Sequence, residues 1–352
     1  MGPPGDALRV AVLAPIAWRT PPRHYGPWEQ FASLLTEGLV RLGHAVTLFA
    51  TADSMTTASL RSCVAQGWSE TDDIDAKVAE CLHISQVFEM ADRFDIIHNG
   101  FDFLPLTFSS LVRTPVVTTI HGFSSDRILA VYQKYDATTS YVAISDADRH
   151  PSLNYAATIH HGIDTASFGP ADLVGDELLF FGRIHPDKGT AEAIRLAHGT
   201  GRRLVIAGIV QDERYFRDEV EPFLDHDRVR FVGAVDTSNR SGVLGHAHAL
   251  VHLIDFDEPF GYSVVEAMAC GTPVIAYDRG SMAELIIHGV TGFVVRDIEE
   301  AAEAVDAVHS LDRAHIRRIA HERFDVDRMV LDYSNLYRQV IEQPGSFVPR
   351  PR

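Results

Sequence analysis

Two glutamates stand eight positions apart in the segment DFDEPFGYSVVEAMACGTPVIA, residues 255–276. The apolar run 249–254 before them predicts a buried strand, and residues 263–270 predict the opening of a short helix. Glu258 therefore lies in the loop that joins the strand to the helix, and Glu266 lies on the helix itself. Carboxylates placed in this way can accept hydrogen bonds from the hydroxyl groups of sugars.

Backbone amides complete this strand-to-helix joint. The N–H groups near Gly261, Tyr262 and Ser263 precede the first intrahelical bonds, so they are available to an anion. A diphosphate bound there would place one sugar near Glu258 and a ribose near Glu266. The alternative is a capping box, in which Glu266 only satisfies an amide at the helix start after Ser263. The segment alone leaves both interpretations open.

A second group of candidate ligands follows an earlier predicted strand. In the segment GRIHPDKGTAEAI (residues 182–194), Gly182 and Arg183 end the strand and Lys188 precedes a helix. Ligands of doubly wound sheets bind beyond the carboxyl ends of the strands, where the two groups would meet. Two cations suit a diphosphate whose charge grows as a glycosidic bond breaks. The alternative is an ordinary solvated lysine and a surface ion pair, although a cation at a helix start opposes the helix dipole.

Four segments together resemble one enzyme family. The pattern E-P-F-G-x-x-x-x-E-A-M-A-C-G-T-P-V-I-A is similar to the signature of family 4 glycosyltransferases, which are retaining enzymes of the GT-B fold. The segments GRIHPDKGTAEAI, HHGID (residues 160–164) and SMAELIIHGVTGFVV (residues 281–295) resemble three further motifs of that family, in the family's order. Two positions depart from the pattern. Tyr262 stands where a smaller or aliphatic residue is commoner, and His161 stands where the family usually has Asn.

The resemblance assigns roles to residues of the second half. It implies that Glu258 orients the donor sugar, that Glu266 binds the ribose, and that Arg183 and Lys188 stabilise the leaving diphosphate. The remaining donor-binding candidates are backbone positions or neighbours of the anion site: Gly182, Gly233, Val235, Gly261, Tyr262 and Ser263.

The first half supplies further candidates. His121 ends the predicted strand VVTTIH, and the resemblance places such a histidine beside the donor sugar. A lone histidine is otherwise more often a core side chain satisfied by backbone. The long loop PIAWRTPPRHYGPW (residues 15–28) replaces a tight turn, and loops of this length are often functional. The resemblance makes Gly26 a candidate for the diphosphate loop. The acceptor candidates are Arg19, His24, Tyr25, His98 and Asn99, each of which could equally be a loop or turn residue.

Composition limits the class of partner. The chain has 352 residues, more than one core usually serves, so we expect two domains. A formal net charge of −17 argues against binding to nucleic acid. Three scattered cysteines offer neither a disulfide framework nor a metal site, which favours a reduced, cytoplasmic location. No apolar run is long enough for a membrane span, and no signal peptide is evident, while peripheral membrane contact and the oligomeric state stay open.

Strand and helix patterns alternate along the chain, which predicts an α/β fold with two doubly wound parallel sheets. Predicted strands in the first half are residues 8–15, 45–51, 94–99, 116–121 and 141–145. Those in the second half are residues 178–183, 204–209, 229–235, 249–254, 274–277 and 292–295. We expect two Rossmann-like domains that face a cleft: an acceptor domain at 1–165 and a donor domain at 176–325. A last helix at 326–345 is expected to cross back onto the first domain.

Metal ligands are not clearly indicated. Asp255-Phe256-Asp257 spells the D-x-D motif of another glycosyltransferase fold, but the surrounding motifs resemble GT-B enzymes, which normally need no metal. The 18 histidines lack the spacing of a zinc site. No cofactor is expected.

The sequence therefore predicts a metal-independent hexosyltransferase that moves a sugar from a nucleoside diphosphate donor to a hydroxyl of a small-molecule, lipid or glycan acceptor. A UDP-sugar is slightly favoured, with GDP-mannose as the other candidate. Rival interpretations are a phosphorylase or a sugar-nucleotide epimerase on the same architecture, and a binding protein that senses sugar nucleotides. A nicotinamide-dependent dehydrogenase is disfavoured, because PIAWRTPP replaces the glycine-rich turn after the first strand.

Overall fold

The chain folds into two compact α/β units. The computed structural model describes residues 7–23, 26–122, 126–225 and 227–342, without the side chain of Thr237. The first unit comprises the described residues of Met1–Gly162 and Val326–Arg352, and the second is Ile163–Asp325. The stretch between the domains predicted at 1–165 and 176–325 therefore lies within the second unit.

The first unit contains a seven-stranded parallel sheet with the strand order β3-β2-β1-β4-β5-β6-β7. Its strands are β1 (Arg9–Leu13), β2 (Ala45–Phe49), β3 (Ser59–Arg61), β4 (Ile96–Asn99), β5 (Val116–Ile120), β6 (Ser140–Ala143) and β7 (Tyr155–Thr158). The five strands predicted here are all present. The two strands that were not predicted, β3 and β7, lie at the edges of the sheet. Both are short and lack the long apolar run by which the other strands of this sheet were predicted.

Five helices belong to the first unit. They are α1 (Pro27–Arg41), α2 (Ala76–Glu89), α3 (Leu106–Ser109), α4 (Leu129–Tyr135) and α12 (Val326–Glu342), which returns from the end of the chain. Helix α12 packs on α1 with Met329, Tyr333 and Tyr337 buried. Gly38 on α1 makes this contact close, because a Cβ atom there would lie 2.3 Å from Cγ2 of Val330.

The second unit contains a six-stranded parallel sheet with the order β10-β9-β8-β11-β12-β13. Its strands are β8 (Leu178–Phe181), β9 (Leu204–Ala207), β10 (Val229–Gly233), β11 (Ala249–His252), β12 (Val274–Tyr277) and β13 (Gly292–Val295). All six were predicted, and apolar runs mark them because both faces of the sheet are covered. The helices are α5 (Thr190–Thr200), α6 (Glu213–Tyr215), α7 (Thr237–His246), α8 (Tyr262–Ala269), α9 (Met282–Leu285), α10 (Ile298–Ala307) and α11 (Arg313–Phe324).

Together the two sheets confirm the predicted fold class of two doubly wound domains. None of the helices within the described ranges is long and apolar enough to cross a bilayer.

Candidate functional site

The carboxyl ends of β8 and β11 meet in the second unit. After β8 a short helical turn, Pro186–Lys188, leads into Gly189, whose φ of 73° is in the left-handed region. A Cβ atom at Gly189 would lie 1.8 Å from the carbonyl oxygen of Leu253, just beyond β11. Only glycine fits this close approach, and it brings Lys188 beside the loop that follows β11.

Lys188 and Glu258 form an ion pair across this joint. The Nζ atom of Lys188 lies 2.6 Å from Oε2 of Glu258, and the side chains are only 15% and 16% exposed. The ammonium group also lies 4.4 Å from the centroid of the Phe256 ring. The sequence assigned the two residues separate ligand groups, the leaving phosphate and the donor sugar. The structure pairs the two residues with each other.

His252, at the end of β11, is a further titratable neighbour of this pair. Its Nε2 atom lies 3.9 Å from Oε2 of Glu258, too far for a hydrogen bond. Burial lowers the pKa of His252 to about 4, so the ring is neutral at pH 7. The charge on Glu258 is therefore balanced by Lys188 and not by His252.

The loop between Glu258 and α8 is tied to the segment before α9. Ser281 donates from its hydroxyl to the carbonyl oxygen of Phe260 over 2.7 Å, and its N–H donates to the carbonyl of Glu258 over 2.9 Å. Gly261 then caps α8 in the left-handed region, with φ of 95° and no side-chain hydrogen bond. The capping-box alternative is not formed, because α8 begins at Tyr262 and Ser263 is already inside it.

Glu266 is buried on α8 and faces one cation, Arg240 on α7. The Nε atom of Arg240 lies 2.9 Å from Oε2 of Glu266, although neither atom makes an aligned hydrogen bond. The guanidinium group also stacks over Phe181, 5.1 Å from the ring centroid. Burial raises the pKa of Glu266 to about 7, and the charge of Arg240 opposes that rise. The arrangement gives a carboxylate whose charge is supported by a single partner.

The other donor-site candidates follow strands β8 and β10 of the same sheet. Arg183 follows Gly182 at the end of β8 and donates from Nη1 to Oε1 of Gln211. Gly233 ends β10, and the loop through Val235 borders a cavity of about 440 Å³ that is lined by residues of β8, β9, β10 and α7.

In the first unit, His121 follows β5 and belongs to a cluster of rings. Its ring stacks on Trp28 with centroids 5.5 Å apart, and its Nδ1 atom lies 3.3 Å from Nε2 of His161. Burial lowers the pKa of His121 to about 3, so the ring is neutral. Its Nε2 atom is buried and has no hydrogen-bond partner among the residues that the structure describes.

Two acceptor candidates are enclosed by the first unit. His98 is fully buried, with Nδ1 2.8 Å from the hydroxyl of Tyr337 on α12 and Nε2 3.3 Å from the hydroxyl of Thr119. Asn99 is also fully buried and donates to the carbonyl of Asp102 over 2.8 Å. In this conformation both side chains make hydrogen bonds inside the protein, so neither is accessible to an acceptor from solvent.

The long loop before α1 carries the remaining candidates. The backbone N–H of Arg19 donates to Glu70 over 3.2 Å, which holds the loop against the residues after β3. Gly26 directly precedes α1 and is its N-cap residue. The acceptor candidates His24 and Tyr25 lie outside the described residues.

Sequence reasoning missed three residues that lie beside these candidates, Arg240 in the second unit and Trp28 and Glu29 in the first. Arg240 carries no motif, because a cation on an amphipathic helix is ordinarily a solvated side chain. Trp28 and Glu29 open α1, and burial raises the pKa of Glu29 to about 7. Glu29 could have been noticed in the sequence, because it stands three residues after Gly26 and acidic residues are favoured in the first turn of a helix.

Among the described residues, no three His, Cys, Asp or Glu side chains are grouped so that they could hold a metal ion. Asp255 and Asp257 of the D-x-D sequence are exposed.

Comparison with known proteins places this arrangement in a family. The protein-family model for glycosyl transferases group 1 matches residues 172–323. Glycogen synthase of Mycobacterium tuberculosis is 31% identical over 223 residues, which cover 57% of this chain and 52% of that protein. The chain thus spans about half the length of that relative. An uncharacterised glycosyltransferase of Methanocaldococcus jannaschii is 24% identical, with 95% of this chain and 99% of the relative covered.

A solved structure covers nearly the whole chain. The crystal structure of a glycosyltransferase involved in avilamycin A biosynthesis has 25% sequence identity and a TM-score of 0.71, with 95% of this chain and 98% of the other covered. The family match and this likeness agree with the two sheets and with the motifs around Lys188, Glu258 and Glu266. Residues 172–323 thus match the group 1 glycosyltransferases, and the chain has the two-sheet GT-B fold of a solved glycosyltransferase.

Proposed function

We propose that the protein is a retaining glycosyltransferase that moves a sugar from a nucleoside diphosphate donor to a hydroxyl of an acceptor. One observation supports this most strongly. Two carboxylates, Glu258 in the loop before α8 and Glu266 within it, are each paired with a cation in the second unit, and their side chains are 16% and 7% exposed. The start of a helix favours an anion, and the carboxylates are spaced to accept hydroxyls on both sides of it.

The diphosphate would be held by Arg183, Lys188 and the first amides of α8. Negative charge on the leaving group grows as the glycosidic bond breaks, so these donors bind the transition state more strongly than the ground state. Lys188 would have to divide its three N–H groups between Glu258 and the phosphate. Glu258 would then remain beside the sugar, tied to the same ammonium that binds the leaving oxygen.

The nucleoside would be bound by Glu266 and the loop after β10. Anionic Glu266 accepts the two ribose hydroxyls, and Arg240 supports its charge. The backbone from Gly233 to Val235 would contact the base. We favour UDP-sugars as the donor class over GDP-mannose.

The reaction proposed is a front-face displacement. The acceptor oxygen forms a bond to the anomeric carbon on the face from which the diphosphate departs. The bond between that carbon and the phosphate oxygen breaks, the diphosphate keeps the electron pair, and it takes the acceptor's proton. This course retains configuration without a covalent intermediate. His121 would donate a hydrogen bond to the donor, and Arg19 is the acceptor-site candidate among the described residues.

We also propose that the transfer needs no metal ion, since Arg183, Lys188 and helix amides supply the positive charge. Activity should survive excess EDTA. Strict dependence on Mn²⁺ or Mg²⁺, restored only by adding the ion, would contradict this assignment.

The experiment that tests the function begins with a thermal-shift screen of UDP-, GDP-, ADP- and TDP-sugars. A ligand at 100 times its Kd stabilises the folded protein by about 2.7 kcal/mol, which such a screen detects. The donor that binds is then incubated with panels of sugar, lipid and glycan acceptors. Nucleoside diphosphate release that requires acceptor, with a product of unchanged anomeric configuration, supports the proposal.

Other outcomes of this experiment identify the rivals. Sugar 1-phosphate formed in the presence of inorganic phosphate would indicate a phosphorylase. A rearranged sugar without acceptor would indicate an epimerase. Tight binding of a sugar nucleotide with no turnover in any acceptor panel would indicate a sensor.

A further inference from the structure

The rings of His121 and His161 are in direct contact in the first unit. Nδ1 of His121 lies 3.3 Å from Nε2 of His161, and the ring centroids are 5.2 Å apart with planes at 22°. His161 is only 2% exposed. Phe31 lies against both rings, at centroid distances of 4.8 and 5.0 Å.

One proton must lie between the two nitrogen atoms. Burial lowers the pKa of both rings, that of His121 to about 3 and that of His161 well below its usual value. Both rings are therefore neutral at pH 7, and each carries a proton on one of its two nitrogens. If neither facing nitrogen carried a proton, two lone pairs would oppose each other. If both did, two N–H groups would collide.

The position of this proton decides what His121 offers to a ligand. If Nδ1 of His121 carries it, the buried Nε2 atom is a bare acceptor. If Nε2 of His161 carries it, Nδ1 of His121 accepts and Nε2 of His121 holds an N–H group. A diphosphate oxygen can only accept hydrogen bonds, and a sugar hydroxyl beside it can also do so. An N–H group at Nε2 therefore suits the anionic donor, whereas a bare nitrogen facing phosphate would repel it.

We infer that His161 is a positioning residue, which donates from Nε2 and so holds His121 as the tautomer protonated at Nε2. This inference rests on the proposed function, because it takes His121 as a contact of the donor. It also gives a role to the position at which this chain departs from the family's usual Asn. His161 acts through His121 and needs no contact with the substrate.

Two substitutions of similar length separate a hydrogen-bonding role from a packing role. In His161→Gln the side-chain amide can place an N–H group near the position of Nε2. In His161→Met the side chain has similar reach but no donor. We expect kcat to fall by about 3- to 10-fold in His161→Met, the loss of one hydrogen bond, and to recover most of that loss in His161→Gln. The Kd for the nucleoside diphosphate should rise in His161→Met and recover in His161→Gln, because the same N–H group of His121 faces the phosphate.

The tautomer itself is read by ¹⁵N NMR of the imidazole rings, with the His121 signals assigned by their loss in His121→Asn. We expect Nε2 of His121 to show the protonated shift in wild type and in His161→Gln, and an averaged shift in His161→Met. Thermal unfolding of each variant checks that it is folded. If His161→Met does not fold, the wild-type spectrum alone decides, since a bare Nε2 on His121 overturns the inference.

Equal kcat values in the Gln and Met variants would also overturn it. Failure of the proposed function gives a different result. Wild-type protein would then transfer no sugar from any donor, while the NMR spectra would still report which ring holds the shared proton.

Discussion

The ammonium nitrogen of Lys188 lies 2.6 Å from a carboxylate oxygen of Glu258, although 70 positions separate the two residues in the chain. Their contact follows from the parallel sheet, which brings the ends of β8 and β11 side by side. It joins two motifs that the sequence presents separately, one read as a phosphate site and one as a sugar site. Both groups are mostly buried, so each stabilises the charge of the other.

The first prediction concerns the stability of this ion pair. Removing one partner leaves the other charge buried without compensation, which costs about 3–5 kcal/mol for a fully buried pair. Because both side chains keep some solvent contact, we expect about 1–3 kcal/mol for Lys188→Met or Glu258→Gln alone. The double variant should lose less than the sum of the two. Urea unfolding measures all three, and additive losses would show that the contact does not couple the two residues.

The first prediction also has a catalytic part, which concerns the turnover number of a Lys188 variant. If Lys188 binds the leaving phosphate more strongly as charge develops, Lys188→Met should lower kcat by roughly 10²-fold, as for loss of one transition-state donor. Steady-state kinetics with the donor found in the screen measures this. A variant with unchanged kcat and a raised KM would indicate that Lys188 binds ground state and transition state equally.

A second prediction follows from the pair formed by Arg240 and Glu266. The pKa of Glu266 is raised to about 7, so its anionic fraction grows as the pH increases through 7. Only the anion accepts both ribose hydroxyls, so affinity for the nucleotide should rise between pH 6 and pH 8. In Arg240→Met the pKa rises further because the supporting charge is gone. Affinity at pH 7 should then fall, and its rise should move to higher pH.

Calorimetric titration at pH 6, 7 and 8 measures this dependence, with Glu266→Gln as the control. The control cannot ionise at position 266, so subtracting its profile removes the titration of the nucleotide's own phosphate. The buried thiol of Cys270 does not interfere, because burial raises its pKa to about 11. Identical profiles for wild type and Glu266→Gln would mean that Glu266 does not bind the nucleotide as an anion.

The third prediction concerns the helix that returns to the first unit. A Cβ atom at Gly38 would lie 2.3 Å from Cγ2 of Val330, so Gly38→Ala should destabilise the protein by about 1–3 kcal/mol through overpacking. Val330→Ala in the same chain should restore part of the loss, because the clashing methyl groups are gone. Gly199 is the matched control: it is also helical but has open space around it, so Gly199→Ala should stabilise by up to about 1 kcal/mol. Equal responses at Gly38 and Gly199 in thermal unfolding would contradict the close packing of α1 and α12.

The central strands of both sheets were predictable because they are buried on both faces, which leaves an apolar run in the sequence. The edge strands β3 and β7 were not, since Ser59–Arg61 and Tyr155–Thr158 carry no such run. The motif residues Lys188, Glu258 and Glu266 could be named from spacing. The partner of Glu266 could not, because Arg240 comes from a different helix and follows no local pattern.

Burial was the other property that the sequence did not disclose. His98 and Asn99 end a strand, a position that suits ligand binding, yet both are fully enclosed. Tyr337, 239 positions further along the chain, covers His98 and binds its Nδ1 atom. A local sequence pattern cannot indicate that a helix from the other end of the chain closes over a strand end.

The most direct test of the proposed donor site is a calorimetric titration of UDP, GDP, ADP and TDP into wild type, Glu266→Gln and Glu258→Gln. We predict that wild type binds at least one of the four. Glu266→Gln should weaken that binding by about 1–3 kcal/mol, the loss of hydrogen bonds to a charged group. Glu258→Gln should leave it nearly unchanged, because Glu258 is assigned to the sugar, which these ligands lack. Three results would contradict a donor site formed by Glu258, the start of α8 and Glu266. They are equal losses in both variants, a loss only in Glu258→Gln, and no binding by wild type.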